Sequence, residues 1–139
     1  MEEKQQVYEA LFQAALDEPM DYFPHDTNTF DDDSLWGFFE EMGYRGLGMF
    51  WRLVELLSQK KGHAYRKDDR RLPQALYIST EECGSFLDSL CRHGLLDRGL
   101  YSDGFVSSCR VTRNAEGYAA KVAGARLGAE MTNRKKAGR

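Results

Sequence analysis

The chain has 139 residues, and 22 acidic against 19 basic side chains give a formal net charge of −3. This length favours one domain with appendages, and a hydrophobic content of 42% is ample for a core. No apolar run reaches the roughly 18 residues that a membrane-spanning helix needs, and the acidic N-terminus is the reverse of a secretory signal. We therefore expect a globular cytoplasmic protein.

The charge is strongly segregated along the chain. Residues 1–43 hold twelve acidic residues and one Lys, whereas residues 44–79 hold eight basic and three acidic residues. Residues 80–109 are again acidic, with five acidic against two basic side chains, and residues 110–139 hold eight basic against two. Separate acidic and basic regions suit a protein that meets both nucleic acid and protein partners.

The sequence contains no pattern typical of an enzyme, a cofactor site or a metal site. Three cysteines without Cys-x-x-Cys spacing indicate neither a disulfide framework nor a zinc ribbon, and Cys83 fits a buried apolar stripe. The acidic run at residues 31–33 is explained by a helix N-cap and a solvated turn. We expect no catalytic residues, no metal and no cofactor.

Apolar spacing predicts the first three helices. An amphipathic helix covers residues 3–16, and an extended segment follows over residues 22–29. Asp31 or Asp32 then caps a core helix that ends at Gly43, and a second core helix covers about 46–59. The aromatic residues of this region, including Trp36 and Trp51, are predicted to lie in the core. The alternative is that the Tyr22-Phe23 segment forms an exposed edge that mediates assembly.

The middle of the chain predicts a helix-turn-helix. A charged connector over residues 66–71 leads into a short helix at 72–76, and Ser79 or Thr80 caps a helix that runs to about His93. Asp103-Gly104 between apolar residues then predicts an antiparallel hairpin that turns there. A final helix over about 110–128 is followed by a basic tail or linker.

Four landmarks across residues 20–120 occur in the order typical of one known family. They are Tyr22-Phe23-Pro24-x-Asp26, Asp31-Asp32, the segment from Gly43 to Gly48, and Gly94-Leu95-Leu96-Asp97 before the Asp-Gly hairpin. With them the chain resembles the phage replisome-organiser N-terminal domains, winged-helix domains of phage and mobile-element proteins related to DnaD. The resemblance implies DNA replication or a related mobile-element role.

Together, the resemblance and the residue patterns predict a mainly α fold with a small β-hairpin. The expected organisation is an N-terminal amphipathic helix at 1–18, a winged helix-turn-helix domain at 19–128 and a basic tail or linker at 129–139.

Basic side chains near the helix-turn-helix are the candidates for phosphate contacts. The connector leads into the first helix of the motif, which crosses the DNA backbone in helix-turn-helix complexes. The outward face of the second helix carries two acids and one base, so reading of the major groove by this face is disfavoured. The expected DNA-binding residues are Arg66, Lys67, Arg70, Arg71, Arg92, Arg98, Arg110 and Arg113.

The leading hypothesis is a non-enzymatic DNA-binding or replisome-organising module that contacts DNA weakly and through phosphates. The alternative is a protein-interaction or oligomerisation module that does not bind DNA. Replication proteins and a second copy are the expected protein partners. The apolar stripe from Val7 to Leu16 favours a homodimer, and packing on core helices around Phe38 and Trp51 is the intramolecular alternative.

Overall fold

Six helices and one two-stranded antiparallel sheet make up residues 2–138, the part of the chain that the computed structural model describes. In chain order the elements are α1 (Glu2–Leu16), a 3-10 turn (Thr29–Asp31), α2 (Asp33–Gln59), β1 (Tyr65–Arg66), α3 (Arg71–Leu76), α4 (Thr80–Arg92), α5 (Arg98–Ser102), β2 (Phe105–Val106) and α6 (Cys109–Ala137). The predicted class, mainly α with a small antiparallel β element, is confirmed. Within residues 2–138, no helix is long and apolar enough to cross a membrane.

Helix α2 contains both predicted core helices and is interrupted at Gly43. The φ of Gly43 is 67° and its ψ is −164°, a combination that is open to glycine and strained for other residues. At the start of α2 the Asp32 carboxylate accepts a hydrogen bond from the Ser34 backbone N–H at 2.9 Å. The predicted cap at Asp32 and the predicted exit at Gly43 are therefore both confirmed.

The two halves of α2 meet α4 in an aromatic core. The ring of Phe38 lies 6.3 Å from that of Phe50 and 6.0 Å from that of Phe86, and all three side chains are fully buried. The prediction of a core position was wrong for Trp36, which is 44% exposed. Each helical residue turns about 100° from the last, so Trp36 points away from the core that buries Leu35.

The structure contains the two predicted helices on either side of a tight turn, as α3 and α4. Helix α3 ends at Tyr77, which adopts the left-handed conformation with a φ of 58°. The Ser79 hydroxyl then accepts a hydrogen bond from the Glu82 backbone N–H at 3.0 Å, which starts α4. Helices α3 and α4 are therefore separate elements joined by a tight turn.

The prediction that the two segments on either side of Asp103-Gly104 pair as a hairpin was wrong. The Asp97 carboxylate accepts from the Leu100 backbone N–H at 3.0 Å, and this cap makes the segment before the turn helical, as α5. Gly104, with a φ of 95°, still turns the chain into β2. The antiparallel partner of β2 is β1, with Tyr65 opposite Val106 and Arg66 opposite Phe105.

Helix α6 is longer than predicted and provides the partner for α1. It continues to Ala137, so residues 129–137 belong to a helix rather than to a tail. Ion pairs Glu3–Arg134 at 3.2 Å and Glu18–Arg126 at 3.4 Å show that the two helices run antiparallel. The intramolecular partner of α1 is thus α6 rather than the helices around Phe38 and Trp51, while the homodimer stays a prediction.

Substitution of two glycines in α2 tests the break. We expect Gly43→Ala to lower the free energy of unfolding by about 1–3 kcal/mol, because its backbone conformation is strained for alanine. No atom lies within 4 Å of the Cβ that this change adds, so the cost arises from the backbone alone.

Gly48→Ala is the matched control, since Gly48 is helical and equally free of neighbours around an added Cβ. It should raise the free energy of unfolding by up to about 1 kcal/mol through helix propensity. Urea denaturation measures the free energy of unfolding of both variants. Equal changes in the two variants would contradict backbone strain at position 43.

Candidate nucleic-acid interface

The connector between β1 and α3 carries basic side chains that the sheet holds in place. The backbone N–H of Lys67 donates to the Gly104 carbonyl at 2.8 Å, which ties the connector to the turn before β2. The Lys67 ammonium lies 3.9 Å from the centre of the Tyr101 ring, a favourable cation–π distance. Arg70 is exposed at the end of this connector.

The outer face of the sheet joins a cation to an aromatic ring. Arg66 and Phe105 are cross-strand partners, and paired residues of an antiparallel sheet project to the same face. The Arg66 side chain is 74% exposed, and Phe105 is also exposed. An exposed guanidinium beside an exposed ring can contact both a phosphate and a base.

Lys60, the residue that follows α2, lies near the opposite face of the sheet. The Lys60 ammonium lies 4.3 Å from the centre of the Tyr65 ring on β1. Only the fold shows that β1 returns past the end of α2 and brings these two residues together. We call Arg66, Lys67 and Arg70 the basic surface.

Arg71 follows the basic surface but is partly neutralised. Its guanidinium donates to both Asp69 carboxylate oxygens, at 3.1 and 2.9 Å, and its backbone N–H donates to the same carboxylate. These hydrogen bonds hold the pKa of Asp69 below its usual range. Arg66 also has an acidic neighbour, Asp68 at 3.5 Å, but both side chains are largely exposed and the pairing is weak.

Arg92 is engaged by an acidic residue of α2 that the sequence patterns did not reveal. The Glu41 carboxylate accepts from the Arg92 guanidinium, from the Ser89 hydroxyl at 2.7 Å and from His93 Nε2 at 2.7 Å. Together these hydrogen bonds lower the pKa of Glu41 from 4.5 to about 2, with the largest effect from Ser89. The cluster joins α2 to the C-terminal end of α4.

Arg98 is exposed, and its guanidinium is engaged by backbone carbonyls. Its guanidinium donates to the carbonyl of Arg92 at 3.0 Å and to that of Cys91 at 3.3 Å. These are carbonyls of the last turn of α4, where a cation is favourable. Arg98 is therefore a C-terminal capping residue of α4.

Arg110 lies in an acidic surrounding at the start of α6. Its side chain is only 17% exposed, and its guanidinium lies 3.6 Å from the Asp32 carboxylate and 4.0 Å from that of Asp26. It also lies over the Trp51 ring at 5.5 Å. Arg113 lines the same depression, which Asp31 also faces. The structure thus separates Arg110 and Arg113 from the basic surface.

The outward face of α4 is largely occupied by contacts within the protein. Besides Arg92, Asp88 accepts a hydrogen bond from the Tyr101 hydroxyl, and burial together with this bond raises the pKa of Tyr101. Glu82 accepts from Arg45, whose Nε lies at 2.9 Å. Three polar side chains of this helix, Glu82, Asp88 and Arg92, are thus engaged within the protein, while Glu81 and Ser85 are exposed. The eight expected residues fall into three places: Arg66, Lys67, Arg70 and Arg71 at the connector, Arg92 and Arg98 at the end of α4, and Arg110 and Arg113 at the start of α6.

A family model described as Lin1244/Lin1753-like, N-terminal, matches residues 22–111. No curated protein and no solved structure matches the chain.

The Glu41 cluster predicts a specific dependence of stability on pH. Because the folded-state pKa of Glu41 is depressed, its stabilising effect is full above about pH 4.5 and is lost as the pH falls towards 2. Glu41→Gln removes the titrating group, so we expect urea midpoints of this variant to fall less than those of the unmodified protein between pH 5 and about 2.

The control is Glu40→Gln, which removes the neighbouring exposed carboxylate and leaves the cluster intact. This variant should keep the acid sensitivity of the unmodified protein. If the urea midpoints of both variants depended equally weakly on pH, the Glu41 hydrogen bonds would have no particular role in acid sensitivity.

Proposed function

The chain belongs to the Lin1244/Lin1753-like N-terminal domain family, whose match covers more than half of it, and from that premise we propose a non-enzymatic DNA-binding module. Its origin is a phage or mobile element, and its role is to organise DNA replication or a related DNA transaction. The sequence resemblance to replisome-organiser domains supports this wider role. Replication proteins and a second copy of the chain are the partners that such a role entails.

The observation that carries the proposal is the basic surface at the sheet. Arg66 projects beside Phe105 on its outer face, and Lys67 and Arg70 follow in the adjoining connector. DNA carries about one negative charge per 1.7 Å of helix axis, so a few clustered cations provide sequence-independent affinity. The family match includes this whole segment.

The order of the elements supports a reduced winged helix. Strand β1 lies between α2 and α3, and β2 returns to it after α4, so the sheet borders the helix-turn-helix. Helix α5 then takes the place of the first strand of the wing. The exposed face of α4 is acidic, and Glu41, Arg45 and Tyr101 engage three of its polar side chains. Contacts to phosphates by the basic surface are therefore a better fit than reading of base edges by α4.

The second candidate function is a protein-interaction module that does not bind DNA. It is favoured by the acidity and the internal contacts of the outward face of α4, including Asp88 and Glu82. DNA binding at low salt distinguishes the two candidates, because the second candidate predicts none.

A DNA titration at several salt concentrations tests the proposal. We expect weak binding that is nearly independent of sequence, with log affinity falling by about 0.9 per phosphate contact for each unit of log salt. The triple variant Arg66→Ala, Lys67→Ala and Arg70→Ala should weaken binding and reduce the slope by about one for each phosphate-binding side chain that it removes. Fluorescence anisotropy of a labelled duplex gives both quantities.

The matched control removes three exposed lysines from α1 and α6, by Lys4→Ala, Lys121→Ala and Lys135→Ala. It changes the net charge equally, so a similar loss in both triple variants would point to net charge rather than to the basic surface. An unchanged slope in the first variant would place the DNA-binding residues elsewhere. Absence of binding by the unmodified protein at low salt would support the second candidate.

A further inference from the structure

Four aromatic rings form an exposed cluster at the start of α2. Phe30 from the 3-10 turn contacts Trp36 edge-on at 5.3 Å and Phe39 at 4.9 Å, and the Tyr44 ring lies 4.8 Å from that of Phe39. Phe30 is 40% exposed, Trp36 44% and Tyr44 76%. We call these four residues the aromatic patch.

The aromatic patch is pre-organised by the fold. Asp32 caps α2 and fixes the 3-10 turn beside it, while the break at Gly43 directs Tyr44 back towards Phe39. Tilted and edge-to-face contacts hold the rings in one arrangement, so little side-chain freedom remains to be lost on binding. Contiguous exposed apolar side chains with a polar rim are typical of a protein-interaction site.

The rim of the patch is strongly acidic. Residues 24–44 hold six acidic residues and neither Lys nor Arg, and Arg45 follows directly. Asp26 and Asp32 pair with Arg110 and Glu41 pairs with Arg92, so the charge of the rim comes from Asp31, Asp33 and Glu40. Asp33 and Glu40 lie three residues before and four residues after Trp36, so all three share one side of the helix, and Glu40 is exposed. Among residues 2–138, neither carboxylate forms an ion pair.

This charge decides which kind of molecule fits. Carboxylates beside the rings repel phosphate, which disfavours nucleic acid and anionic lipid surfaces. They attract Lys and Arg, and the rings add cation–π and apolar contacts for a side chain seated between them. The complementary ligand is a peptide segment with apolar anchors and flanking basic residues.

From these observations we infer that the aromatic patch is a docking site for a basic, apolar-anchored segment of a partner protein. Trp36 is the central anchor, and Asp33 and Glu40 select the positive charge of the partner. The site lies outside the basic surface, so it is independent of DNA binding: a protein that does not bind DNA could still use it.

Two-dimensional NMR with synthetic peptides tests the inference directly. The protein has two tryptophans, Trp36 in the patch and Trp51 in contact with the core, and Trp36→Phe assigns their indole N–H signals. A peptide that combines Leu and Trp anchors with Lys should shift the Trp36 signal most. Its Glu-for-Lys counterpart should not bind, and a version with Ser in place of the anchors should bind far more weakly.

Variants of the protein separate the contribution of the aromatic anchor from that of the acidic side chains. Trp36→Ala should weaken binding of the Lys peptide by about tenfold or more, as truncation of a central anchor does. Glu40→Lys should weaken binding chiefly at low salt. The control is Tyr77→Asn, which removes an aromatic side chain that is 92% exposed outside the patch and keeps a residue suited to the left-handed conformation. It should leave binding unchanged.

Three results would overturn the inference. They are absence of a Trp36 shift with the Lys peptide, equal binding of the Glu peptide, or equal reductions in affinity for Trp36→Ala and Tyr77→Asn. Light scattering of the peptide-free protein tests a different occupant. If the protein is a dimer and Trp36→Ala dissociates it, the occupant of the patch is a second copy of the chain, and the inference is also overturned. Circular dichroism of each variant distinguishes a direct effect on binding from unfolding.

Discussion

The break at Gly43 is the constraint on which the rest of the structure depends. A continuous helix over residues 33–59 would be straight, and its two halves could not both pack against α4 as they do. With the break, Phe38 from the first half and Phe50 from the second meet in one core, and Glu41 and Arg45 reach different residues of α4. The same break brings Tyr44 to Phe39 and so completes the aromatic patch.

The protein uses several of its predicted DNA-binding arginines to hold the fold together. Arg92 binds Glu41, Arg98 caps the end of α4, and Arg110 lies between carboxylates over Trp51. Among the exposed surfaces are a small basic surface at the sheet and, on other elements, an aromatic patch with acidic neighbours. These two surfaces differ in charge and lie on different elements, so the proposed DNA contact and the proposed peptide contact do not compete for the same side chains.

Local signals in the sequence were sufficient for the starts of α2 and α4 and insufficient for α5, for the end of α6 and for the sheet. Caps such as Asp32 and Ser79 act within three residues, so the starts of α2 and α4 could be predicted from neighbouring residues. The pairing of β1 with β2 joins segments far apart in the chain, and nothing local to Asp103-Gly104 indicates it. For the same reason the roles of Glu41 and Lys60 could not be predicted, because they arise only from contacts made in three dimensions.

The most direct measurement of the central proposal is an amide-resolved NMR titration of the full chain with a short DNA duplex. The basic surface predicts that the largest shifts fall on β1, on the connector at residues 67–70 and on β2, and that they shrink as salt is raised. The outward face of α4 and the aromatic patch should change little. Largest shifts on that face of α4, or shifts that persist at high salt, would contradict binding through phosphates at the sheet.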